Sequence, residues 1–127
     1  MLLINFSHPI SASQKEQIEK VIGQEIESML AVPVHLDLEK PMAAQVDVVL
    51  ENLGISLQSL QQQSVLIILP GFSPLAAYLL TVFHGILGYF PSIAILKPDL
   101  DSVITDFKLA EILNLQALRN NARSKRF

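Results

Sequence analysis

The sequence predicts a single α/β domain over residues 1–127, a three-layer arrangement in which a parallel sheet is flanked by helices. Short apolar runs suited to buried strands alternate with segments of helical period along the whole chain. Half of the residues are hydrophobic and 17% are charged, which is ample material for one core and unlike a disordered composition. Proline and glycine punctuate the runs, and no internal repeat divides them.

Leu2 to Phe6 reads as strand one, ended by the turn Ser7-His8-Pro9. Ser11 with Gln14, or Ser13 with Glu16, can form a capping box. Ile18, Val21, Ile22, Ile26, Met29 and Leu30 then predict an amphipathic helix. Val32, Val34, Leu36 and Leu38 alternate with Pro33, His35 and Asp37, which predicts strand two, at an edge because of Pro33. Pro41, then Val46, Val49, Leu50 and Leu53, then Gly54, predict a second helix with a glycine stop. The polar stretch from Ser56 to Ser64 reads as a connection, and Val65 to Leu69 as strand three, buried on both faces. Ser73 as N-cap and Pro74 as first helical residue open a third helix that runs to Gly88. It is apolar nearly all round, so the sheet should cover one side and a partner subunit the other. Ile93 to Leu96 gives strand four, and residues from Asp106 to Arg126 read as a last helix with Leu109, Ile112, Leu113, Leu115 and Leu118 inward.

Composition excludes several classes. The absence of cysteine removes disulfide scaffolds, thiol nucleophiles and thiolate-ligated metals. The start lacks a basic n-region, so it does not read as a secretory signal, and the chain is expected to be cytoplasmic. No Asp, Glu, Lys or Arg occurs from Asn52 to Leu96, yet the longest helical stretch there, Pro74 to Leu87, would be only about 21 Å long against about 30 Å of hydrocarbon. A membrane span is therefore not expected. Up to Leu118 there are five lysines against twelve carboxylates, whereas Arg119, Arg123, Lys125 and Arg126 crowd the end. An acidic body with one small basic cluster disfavours duplex nucleic acid and admits a small anionic ligand or an acidic partner.

In an open parallel sheet the ligand lies outside the carboxyl ends of the strands, where strands one and three flank the switch point of a 2-1-3-4 order. The loops Asn5-Phe6-Ser7-His8-Pro9 and Pro70-Gly71-Phe72-Ser73-Pro74 should both open there. Gly71 permits close backbone approach or positive φ, Ser73 supplies a hydroxyl, and the helix behind offers free N–H groups to an anion. Phe72 can stack on a base, and His8 can donate to phosphate or act as acid or base. The plain alternatives are a turn glycine, a helix cap, a core aromatic and a loop histidine. His35 and His84 read as structural. Gln116, Arg119, Arg123 and Arg126 form one stripe on the last helix, able to clamp an anion or simply to favour a helix C-terminus. No metal-ligand spacing, Walker motif or complete glycine-rich dinucleotide fingerprint is present, so no metal or cofactor is expected.

Three segments, Leu2-Leu-Ile-Asn-Phe-Ser-His-Pro9, Leu69-Pro-Gly-Phe-Ser-Pro-Leu-Ala76 and Glu111-Ile-Leu-Asn-Leu-Gln-Ala-Leu-Arg119, resemble in order and spacing the small stand-alone CRISPR-associated accessory proteins of type III systems, which are CARF-like. The resemblance implies a Rossmann-like homodimer that binds cyclic oligoadenylate, the messenger of type III antiviral defence, with cyclic tetra-adenylate the expected ring. Carried over residue by residue, it assigns Ser7 and His8 to ribose or phosphate, with Asn5 beside them among the ligand-binding residues. It assigns Gly71, Phe72 and Ser73 to phosphate and base, and Asn114, Gln116, Arg119 and Arg123 to the flanks of the ring. The expected effect is to lower free messenger, mainly by sequestration. Metal-independent cleavage by a ring nuclease, with His8 the candidate, is the first alternative. A protein-interaction subunit without nucleotide ligand is the second.

Overall fold

The computed structural model describes all residues, 1–127. Five strands form one sheet in the order β2-β1-β3-β4-β5. They are β1 (Leu2–Asn5), β2 (Ser28–Ala31), β3 (Val65–Ile68), β4 (Ser92–Pro98) and β5 (Phe107–Leu113). The helices are α1 (Ala12–Ile22), α2 (Met42–Glu51), α3 (Leu57–Gln61), α4 (Ser73–Leu87) and α5 (Leu115–Arg123). The first four strands are parallel, with β1 central between Ser28–Ala31 and Val65–Ile68 in register, while β5 runs antiparallel to β4. The fold is thus α/β, with a mostly parallel, five-stranded sheet between helices.

Alternation along the strands divides the core in two. Leu2, Ile4, Val65, Ile67 and Ile93 meet Val46 of α2, Leu60 of α3 and Leu75, Leu79 and Phe83 of α4 on one face. Leu3, Leu66, Ile68 and Ala94 meet Ile18 of α1 on the other. The crossover from β1 therefore runs over one face and that from β3 over the opposite face. This divergence makes the gap between β1 and β3 the topological switch point.

Four expectations change. The first helix stops at Ile22, because Gly23 takes the left-handed conformation (φ 74°) and donates its N–H to the Glu19 carbonyl. Ile26 is buried outside the helix, Leu30 belongs to β2, and Val21 faces solvent. Strand two consequently lies at Ser28–Ala31 and not at Val32–Leu38. Val32, Val34 and Leu36 do pack on the core in alternation, but only Val32 continues the pairing, through its N–H to the Asn5 carbonyl at 2.9 Å; Pro33 next to it has no N–H to give. The polar connection contains the short helix α3, capped by Ser56 Oγ and anchored by buried Leu60.

The largest change is at the end of the chain, where the expected helix from Asp106 is β5 followed by α5. Leu96 pairs with Leu109 and Ile95 with Glu111, leaving Ala110 as a bulge. The extra residue puts Leu109 and Ile112, three apart, on the same α1 face. That spacing imitates a helical period. The edge of β5 is closed by α1: Gln14 Nε2 donates to the Phe107 carbonyl at 2.7 Å, and Leu109 N–H donates to Gln17 Oε1 at 2.9 Å. Gln14 also completes the capping box with Ser11, so one buried amide both caps α1 and pins β5. No helix is long and apolar enough to cross a membrane.

Candidate functional site

The two expected loops converge. Phe6 N–H donates to the Ile68 carbonyl at 3.0 Å, so the chains leaving β1 and β3 stay paired up to the point where they part. A cavity of 520 Å³ opens there, lined by Ser7 and His8 from one loop and by Gly71 and Phe72 from the other, with Phe6 and Leu75 among its apolar residues. On the far side of the Ser7–Pro9 loop a second cavity of 280 Å³ is lined mainly by apolar residues of β3, β4 and β5, including Ile68, Leu96 and Phe107. The loop is a partition with a cavity on each side.

Asn5 builds that partition. It is 5% exposed, and its side chain donates from Nδ2 to the His8 carbonyl at 2.8 Å and accepts the Ser7 N–H on Oδ1 at 2.9 Å. Asn5 therefore positions Ser7 and His8 rather than projecting into either cavity. The Ser7 and His8 side chains are exposed and make no hydrogen bond within the protein.

The second loop differs in detail from the sequence expectation. Helix α4 begins at Ser73, its N-cap is Phe72, and no side chain caps it, so Ser73 is not the cap. Its hydroxyl and the unpaired amides of the first turn remain available. With no acidic residue in that turn, the positive end of a 15-residue helix dipole faces the rim unopposed. Gly71 does not have positive φ, and a Cβ built on it would meet nothing within 4 Å. The fold does not require glycine there; what the glycine leaves is open space at the rim. Phe72 is 42% exposed, as a stacking platform must be and a core residue is not.

The third expected group lies elsewhere. Asn114 Oδ1 caps α5 by accepting the Ala117 N–H at 3.0 Å, and Gln116 Oε1 accepts the Phe90 N–H at 2.8 Å. Both line a 400 Å³ cavity with Met1, Ser64 and Ser92, residues at the amino ends of the parallel strands. Asn114 and Gln116 thus occupy the end of the sheet opposite Ser7, His8, Gly71 and Phe72. Arg119 donates to Asn120 Oδ1 at 3.1 Å, and neither it nor Arg123 pairs with a carboxylate. The positive character of the carboxyl rim comes from the α4 terminus and not from these arginines of the same protomer.

One residue of the rim went unrecognised in the sequence. His35, expected inside a strand, is exposed and lines the 520 Å³ cavity together with His8. The signal was available: β2 is parallel to β1, so whatever follows its carboxyl end returns over the same rim. Ending β2 at Ala31 places His35 there.

No protein-family model, curated protein or solved structure matches this chain. Its function is read from the rim itself: an uncapped helix terminus, free hydroxyls, an exposed aromatic ring, imidazoles, and apolar walls.

Proposed function

We propose that the chain is a CARF-like binder of cyclic oligoadenylate, with cyclic tetra-adenylate the ring it takes, and that it lowers the free messenger of type III CRISPR signalling by holding it. The observation that carries this reading is the convergence of the Ser7–His8 and Gly71–Phe72 segments on one cavity at the switch point, beneath the uncapped α4 terminus. An anionic sugar-phosphate backbone suits the amides and hydroxyls, and a purine suits the face of Phe72 or the apolar cavity beyond the partition.

A ring of four phosphates with two-fold symmetry is matched by two copies of one rim. Helix α4 starts at the rim and turns Ala77, Thr81 and Gly85 outward within a stretch that carries no charge from Asn52 to Leu96. A two-fold axis beside α4 would bring two rims together and cover that face, which makes the homodimer part of the proposal.

Thermal unfolding with three-, four- and six-membered rings tests the reading. A rise in midpoint that grows with ring concentration and is largest for the four-membered ring supports it. No shift with any ring refutes it and leaves the protein-interaction subunit as the surviving account.

A further inference from the structure

We propose that His35 is a ligand-contacting residue of the rim, and that it and His8 together hold one phosphodiester of the bound ring. The inference rests on the cyclic oligoadenylate reading above and adds to it a residue and a contact.

The two imidazoles reach the 520 Å³ cavity from separate elements, His8 from the loop after β1 and His35 from the segment after β2. Both are exposed, and no protein group hydrogen-bonds either ring. A histidine kept for packing is covered or paired. His84 illustrates the contrast: it is half-buried on α4 and packed against Phe90, with ring centroids 4.3 Å apart and the ring planes inclined by 42°.

The charges around the cavity single out the pair. Its lining contains no Asp, Glu, Lys or Arg, so the two histidines are its only titratable side chains. The β3–α4 loop brings no charged residue, and the β1–α1 loop brings none besides His8. The segment after β2 brings Asp37, Glu39 and Lys40 beyond the lining, and Asp37 is already engaged, at 3.9 Å from Lys40 Nζ and as acceptor of the Glu39 N–H at 3.0 Å. No carboxylate within the cavity competes with an incoming anion.

Val34, Leu36 and Leu75 supply apolar wall beside the imidazoles, which strengthens a charge-assisted hydrogen bond relative to open water. An imidazole N–H is a hydrogen-bond donor and a phosphodiester oxygen an acceptor, so an anion entering this cavity meets two donors and no competing carboxylate.

The test is direct titration of the intact chain with labelled cyclic tetra-adenylate, for wild type, His8→Ala, His35→Ala, the double variant and His84→Ala. Each rim substitution should weaken binding about tenfold, and the double variant should bind more weakly than either. His84→Ala should bind as wild type does. Unchanged thermal midpoints for the rim variants confirm that folding is not what was lost. Wild type that binds the ring while His35→Ala binds it equally well overturns the histidine pair and leaves the oligoadenylate reading standing. Absence of wild-type binding overturns both.

Discussion

Asn5 Nδ2 donates to the His8 carbonyl at 2.8 Å, so a buried residue at the end of β1 fixes the backbone of an exposed one at the rim. The same amide accepts the Ser7 N–H, and all its useful polarity is spent on the loop. A position that the sequence alone offers as a ligand contact is in the fold a positioning residue.

Asn5→Ala removes both bonds and strands the Ser7 N–H and the His8 carbonyl. The expected cost is about 1–3 kcal/mol of stability, measured by denaturant unfolding. Affinity for cyclic tetra-adenylate should fall as well, because Ser7 and His8 lose their placement. Loss of stability with unchanged affinity would remove the loop from the site.

Gly71→Ala separates fold from ligand. With ordinary φ and nothing within 4 Å of the added methyl, stability should stay within about 0.5 kcal/mol of wild type. If phosphate approaches the backbone at this open position, the methyl collides with it, and affinity should drop about tenfold in the same titration. An alanine variant that binds like wild type moves the phosphate away from Gly71.

Gln14→Ala should loosen β5 rather than the rim cavity. It deletes the bond to the Phe107 carbonyl and half of the α1 capping box. Amide exchange in β5 should accelerate selectively, with β1 and β3 protected as before. Uniform acceleration across the sheet would show that β5 is not an independent unit.

Arg123→Ala tests where the ring does not sit. The expected result is unchanged affinity, since α5 is set at the amino ends of the strands. A large loss would mean that α5 of a second protomer reaches the rim.

Legibility of the fold followed the strength of local signals. Strands β1 and β3, buried on both faces, and helix α4, with Pro74 in its first turn and Gly88 at its end, are readable because their apolar runs and stop residues agree with the tertiary outcome. Ile26, Met29 and Leu30 continue the period of α1 by chance beyond Gly23, where the left-handed glycine already ends the helix, so the apolar spacing alone suggests a longer helix than forms. Strand β5 was hidden by its own bulge at Ala110, which converts a period of two into an apparent period of three. The Asn114 cap was the available clue that a helix starts later. In the site, the two loops were legible from strand order alone, whereas His35 was masked by an alternation that is real in burial but not in hydrogen bonding.

Mixing the pure chain with an excess of labelled cyclic tetra-adenylate, and measuring both the ring retained and the product formed, separates a sink from an enzyme and from a chain that takes no ring. Sequestration requires saturation at one intact ring per two chains with no linear product accumulating. Failure to retain the ring, or more than one linear product per site, would contradict it.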